Sequence, residues 1–181
     1  MGLPFSILNQ EACISDFWQR KKAQIGHFHT RSLENDLRFP LPNFIVEVLK
    51  PYGVAPFQLV PNAWRILGTF YIGYKKKGIT LTSRQFKRFY YLKSREEFYF
   101  LQSRDSPIVI GLLESNKGWK RLFIRVTSPN GFGVNLKWKT IDDGGNRALG
   151  VMLEEQEDFD KLLKCKFPWK LVLDEEEIDK H

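Results

Sequence analysis

The chain has 181 residues, 43% of them hydrophobic, 27% charged and 14% aromatic, with two cysteines and a formal net charge of +7. That is length for one domain with a core and flanking segments, and the composition is too apolar for a disordered chain. The charge is unevenly placed: Met1 to Leu153 holds 23 Lys/Arg against 11 Asp/Glu, net +12, whereas Glu154 to His181 holds 5 against 10, net −5.

A basic body suits phosphate backbones or anionic surfaces, but charge bears on association and not on chemistry. Cys13 and Cys165 lie far apart, with no C-x-x-C pair and no Asn-x-Ser/Thr sequon, which disfavours a disulfide-stapled secreted domain. The first residues lack a basic n-region, and nowhere do eighteen apolar residues run together. The expectation is an intracellular protein without a transmembrane segment, nucleus and cytoplasm both open. Gly2 with Ser6 fits the loose acylation pattern, which an ordinary start also satisfies.

In chain order, Glu11 to Gln24 places Cys13, Ile14, Phe17 and Trp18 on one face and ends in basic residues before Gly26, an amphipathic helix. The stretch onward to Pro42 has no period and reads as an irregular arm. Asn43 is placed to cap a helix burying Phe44, Ile45, Val48 and Leu49 that stops near Pro51 and Gly53. After a short turn at Phe57 to Leu59, Trp64, Ile66, Leu67, Phe70, Tyr71 and Tyr74 recur at helical spacing, and Lys75 to Lys77 followed by Gly78 form a helix end. Thr82 reads as the N-cap of a helix over Ser83 to about Leu92 that buries Phe86, Phe89 and Tyr90 and exposes Arg84, Lys87 and Arg88.

The rhythm then changes to short aromatic and β-branched runs at 98–101, 108–112 and 119–127, separated by turn residues. These predict three antiparallel strands, with a fourth at Asn135 to Lys139. After Gly144-Gly145, Glu155 to Cys165 predicts a last helix with Phe159, Leu162 and Leu163 inward. The expected class is α+β: N-terminal helices, then a small antiparallel β-meander and a C-terminal helix.

Several of these residues carry a resemblance. Pro40-Leu41-Pro42, Val54 to Leu59, the Pro61-Asn62-Ala63-Trp64-Arg65 box, the aromatic run Phe86 to Lys93, Ser115 to Lys120, Phe123 to Val126 and Trp138 stand in an order that resembles a plant family of gypsy-type transposon protein domains. The similarity covers Phe39 to Thr140, about 100 of the 181 residues. It divides the chain into an N-terminal helix and arm at 1–38, the transposon-like domain at 39–140 and an acidic helix and tail at 141–181. The resemblance implies a segment of a retroelement-encoded protein in or near the gag-like region, or its remnant in a plant genome, and brings no catalytic residues with it.

The residues themselves offer little chemistry. Glu96, Glu97, Asp105 and Glu114, with Lys117 nearby, are the carboxylates a divalent-metal nuclease would need to converge, but carboxylates at strand ends are mostly solvated turn residues. His27 and His29 lack further ligands close by, so no metal is expected. Gly73-x-x-x-x-Gly78 lacks the Lys and Ser/Thr of a phosphate loop, and no cofactor is expected.

The strongest surface signal is basic with interleaved aromatics: Arg84, Lys87, Arg88, Lys93 and Arg95 among Phe89, Tyr90 and Tyr91, then Lys117, Lys120, Arg121 and Arg125. Such a face neutralises phosphates, and a partly exposed Tyr91 or Trp138 can stack on unpaired bases. The leading expectation is a non-enzymatic, retrotransposon-derived domain that binds RNA or DNA or assembles with itself or other element-encoded proteins. The alternatives are a protein-interaction scaffold, its acidic segments pairing with the basic body, and a metal-dependent nuclease.

Overall fold

The computed structural model describes residues 6–10, 25–79, 81–112, 118–128, 131–140, 146, 150 and 152–168, the first of these as backbone. Its elements are β1 (Ser6–Gln10), β2 (Ile25–His29), α1 (Thr30–Leu33), α2 (Asn43–Tyr52), α3 (Pro61–Lys76), α4 (Ser83–Phe89), β3 (Tyr90–Arg95), β4 (Phe98–Ser103), β5 (Val109–Ile110), β6 (Phe123–Thr127), α5 (Gln156–Leu163) and β7 (Phe167–Pro168). Short 3-10 turns occupy Pro56–Gln58, Trp119–Arg121 and Leu153–Glu155.

α3 is the central strut. Pro61 at its first turn wastes no hydrogen bond, since that N–H would be an orphan anyway. Trp64, Ile66, Leu67, Phe70 and Tyr74 are all buried, as their spacing predicts. Its end is a Schellman motif: the Gly78 amide donates to the Lys75 carbonyl at 3.0 Å and the Ile79 amide to Tyr74 at 3.2 Å. That geometry needs a left-handed residue, and Gly78 takes φ +67.

α2 buries the four expected residues and closes on left-handed Gly53, although Pro42 and not Asn43 is the residue before its first turn. α4 opens as predicted at Thr82, whose hydroxyl accepts from the Gln85 amide at 3.1 Å while the Gln85 side chain accepts from the Thr82 amide at 3.0 Å. This reciprocal pair satisfies two donors that the helix start would otherwise leave orphaned.

The architecture is α+β with helices before most strands, two antiparallel sheets, one short parallel pair and a C-terminal helix. Several expectations about its parts change. Residues 25–33, expected as an arm, form β2 and α1: β2 pairs with β6 in the sheet ordered β1-β6-β2, with Phe28 opposite Ile124 and both buried. The helix after Thr82 stops at Phe89, because Tyr90 and Leu92 turn inward at strand period and pair with Ser103 and Leu101 of β4. The runs at 98–101, 108–112 and 119–127 enter three different sheets, β5 pairing in parallel with β7.

The 135–139 segment is not a strand. It is pinned instead by Gln58, fully buried, whose amide donates to the Lys139 carbonyl at 2.7 Å and whose oxygen accepts from the Lys139 amide at 3.2 Å. In the last helix Phe159 and Leu162 are inward but Leu163 is half exposed. The helix expected at Glu11 to Gln24 lies outside the described residues.

Candidate nucleic-acid interface

β3 and β4 form a two-stranded ribbon whose two faces differ sharply. In a strand, alternate side chains point to opposite faces, and residues opposite in register share one. Tyr90, Leu92, Tyr99 and Leu101 are buried against the body. The edge of β4 is tied down as well, since the Val60 amide donates to the Tyr99 carbonyl at 2.9 Å.

The outer face therefore carries Tyr91 opposite Gln102, Lys93 opposite Phe100 and Arg95 opposite Phe98. Lys93 and Arg95 are exposed, while Tyr91, Phe98 and Phe100 are half-buried. Arg104, the residue just past β4, continues the same alternation. Its guanidinium lies 5.3 Å from the centre of the Tyr91 ring, and its Nε donates to the Lys87 carbonyl at 2.9 Å. A second guanidinium nitrogen donates to the Asn146 carbonyl. A cation fixed in this way orients the tyrosine ring it lies against.

At its tip the ribbon turns through Glu96 and Glu97, where Glu96 adopts φ +58. The 3-10 turn at Trp119–Arg121 leans on this tip. Lys120 donates to the Glu96 carboxylate, which holds that carboxyl below its ordinary range, and its Nζ sits 5.0 Å over the Phe98 ring. Below it Phe98 meets Trp119 edge-on at 4.8 Å, and both pack on His29, at 5.5 and 4.4 Å. Trp119 is thus half-buried in an aromatic cluster, and Trp138 adds a further contact to Phe98 at 5.7 Å.

His29 is the deeply buried member of that cluster, with 1% of its surface exposed and Phe123 at 4.2 Å. Burial, with Lys120 adding repulsion, holds its pKa down to about 3. The Trp119 backbone, a larger influence than Lys120, pulls the value partway back, although neither ring nitrogen completes a hydrogen bond among the described residues.

The expected basic residues divide into groups. Lys93, Arg95 and Lys120 come together around the ribbon, and exposed Arg121 follows in the same turn as Lys120. Arg125, half-buried, stands opposite His27 on the β1-β6-β2 sheet, on the face that Phe123 and His29 share. Arg84 and Arg88 instead turn toward the acidic C-terminal segment: Arg84 lies 4.0 Å from Glu155 and donates to the Gly150 carbonyl, and Arg88 lies over the Phe159 ring at 5.9 Å.

Lys87, expected exposed, is 5% exposed, because α2 packs beside α4 and sets its ammonium 4.7 Å from the Tyr52 ring. Burial and then Arg104 push its pKa down. Lys117 and Glu114 lie outside the described residues. Arg104 was missing from the expected set; the signal was there in the period-2 run Phe98, Phe100, Gln102, Arg104.

Among the described residues no three His, Cys, Asp or Glu side chains converge as metal ligands, and Asp105, Glu96 and Glu97 are all exposed. A cleft of about 340 Å³ between the end of α2 and residues 131–135 offers Lys50 as its one ionisable lining side chain, already paired with Glu47 at 2.7 Å. Gly73 is a packing glycine, not part of a phosphate loop: a Cβ there would meet the Phe167 ring at 2.7 Å. No helix of the described residues is long and apolar enough to cross a membrane.

Residues 28–94 match the family described as "Putative gypsy type transposon". The matched region starts at β2 and ends within β3, so it takes in the buried strand at Phe28 and stops short of β4 and β6. No curated protein and no solved structure matches the chain.

Proposed function

We propose that this chain is a non-enzymatic, transposon-derived domain that binds nucleic acid through the outer face of the β3–β4 ribbon and the adjoining Trp119–Arg121 turn. The observation that carries the reading is the clustering there of Lys93, Arg95, Arg104, Lys120 and Arg121 with half-buried aromatic rings, against Glu96 and Glu97 in the turn. The transposon family match supports it, because an element's own proteins work in the presence of its nucleic acid. A gag-like role within an element fits the same reading.

The test is fluorescence anisotropy with a labelled oligonucleotide at several salt concentrations, comparing the chain with a Lys93→Gln, Arg95→Gln, Lys120→Gln, Arg121→Gln variant. Each phosphate contact on a single strand contributes a log–log salt slope of about −0.7, so the variant's slope flattens by up to about 3. An unchanged affinity and slope would remove the ribbon from the interface. A scaffold reading rests on the pairing of Arg84 with Glu155, acidic segment to basic body; salt-dependent self-association without nucleic-acid affinity would favour it.

A further inference from the structure

We infer that the ribbon selects single-stranded over duplex nucleic acid, seating unpaired bases against Tyr91 and Phe100 while Lys93, Arg95 and Lys120 hold the phosphates. This rests on the proposed nucleic-acid reading and narrows its ligand. Three features of the face carry it.

The first is spacing. Same-face neighbours on a strand are two residues apart, about 6.8 Å, so the rows Tyr91/Gln102, Lys93/Phe100 and Arg95/Phe98 repeat at that interval. Stacked bases in a duplex strand rise by about 3.4 Å, half of it. A protein ring placed between two bases doubles their separation, so the rows match an unstacked strand and miss a stacked one.

The second is the chemistry at the centre. A ribbon that reads a duplex enters the major groove and needs polar side chains directed at base edges. Here the two rows Tyr91/Gln102 and Lys93/Phe100 set one ring beside one polar side chain each, and the rings Tyr91 and Phe100 present flat apolar surfaces that suit the π-face of any base. Among the described residues no other ring packs on Phe100, and Tyr91 is backed by the Arg104 guanidinium, which keeps its orientation ready for stacking.

The third is shape. A groove-reading ribbon must protrude along its length, but this one is backed by the body up to its exposed tip at Ser94 to Glu97: Leu92, Tyr99 and Leu101 are buried beneath it and the β4 edge is bonded to Val60. On the β3 side the Asn146 side chain accepts from the Leu92 amide at 2.8 Å and donates to its carbonyl at 2.6 Å, closing that edge too. A flat platform supports a flexible strand laid across it, not insertion between two backbones.

The experiment uses the full chain and three labelled probes at equal ionic strength: a twelve-residue oligothymidylate, a duplex of the same length, and a twelve-residue abasic strand that keeps the phosphates and lacks the bases. We expect the oligothymidylate to bind about tenfold or more tighter than either of the others. Tyr91→Leu and Phe100→Leu should each weaken oligothymidylate binding about tenfold and leave the abasic strand nearly unaffected, with unchanged thermal unfolding confirming the fold. The wild-type comparison of the three probes stands even where a variant unfolds. Equal binding of all three, or preference for the duplex, overturns single-strand selection while leaving the proposed function intact. Failure to bind any probe at low salt removes the proposed function itself.

Discussion

The buried imidazole of His29 gives the structure a pH dependence that can be worked through with its sign. The unfolded chain titrates His29 near 6.5, whereas burial holds the folded value at about 3. Between those limits the unfolded state binds the proton and the folded state does not, so stability rises with pH and is lost as the solution is acidified below 6.5. At pH 7 the loss is negligible, and at pH 5 it reaches about 2 kcal/mol, taking 1.36 kcal/mol per unit of pKa difference.

Other groups also couple stability to pH, among them Asp36, whose carboxyl burial raises. The informative quantity is therefore the difference between the chain and His29→Phe, which keeps an aromatic ring among Phe98, Trp119 and Phe123 and removes the titration. Urea unfolding followed by tryptophan fluorescence at pH 7 and pH 5 should show the natural chain losing about 2 kcal/mol more than the variant. Parallel pH profiles of the two proteins would refute a neutral, buried His29.

Two further changes probe the site and the core. Glu96→Asn puts a residue better suited to positive φ at the turn, where Glu96 sits at φ +58, and removes a carboxylate from the basic face. Its thermal midpoint should rise by about 2 °C and its oligonucleotide affinity should increase; a drop in affinity would mean that the Glu96–Lys120 pair positions Lys120 for binding. Gly73→Ala sets a methyl against the Phe167 ring, and the overpacking, about 1–3 kcal/mol, outweighs the helix-propensity gain of about 1 kcal/mol. Chemical denaturation should show a net loss that Phe167→Ala partly relieves in the double variant, whereas a stabilised Gly73→Ala would contradict the contact.

What was legible in the sequence is what local chemistry decides. α3 is set by its own spacing and its Lys-rich, glycine-capped end, and α4 begins where Thr82 and Gln85 say it must. Strands depend on partners that no local window contains. Ile25–His29 has a glycine and two histidines in five residues, and it is a strand because β6 offers Ile124 and Val126 for it to cover. The same dependence shortened α4, since pairing of Tyr90 and Leu92 with β4 outweighed a helical pattern that continued through them.

The candidate site follows this rule too. Lys93 and Arg95 were found by composition, but Arg104 joins them only once the register of β3 with β4 is known. Lys87 was lost for the complementary reason, because a neighbouring helix covers a position that helical spacing alone leaves outside.

The net charge takes its meaning from this placement. The acidic segment is not a free tail across its described part: Phe159 is 7% exposed and Leu162 fully buried, so α5 is docked, and it sets Glu155 beside Arg84 and hydrogen-bonded to the Thr82 hydroxyl at 3.0 Å. Of the basic side chains of α4, Arg84 thus faces acid within its own chain, Arg88 lies over the Phe159 ring of α5 and Lys87 is buried against Tyr52. Because exposed charges more than about 10 Å apart are largely screened at 0.1 M salt, the field a ligand meets is set by the nearest groups and not by the total of +7. Around the ribbon those groups are Lys93, Arg95, Arg104, Lys120 and Arg121 with Glu96 and Glu97, a local excess of cations laid among aromatic rings. The proposed reading therefore places the anion-binding face at the ribbon ahead of α4, even though composition placed equal weight on both.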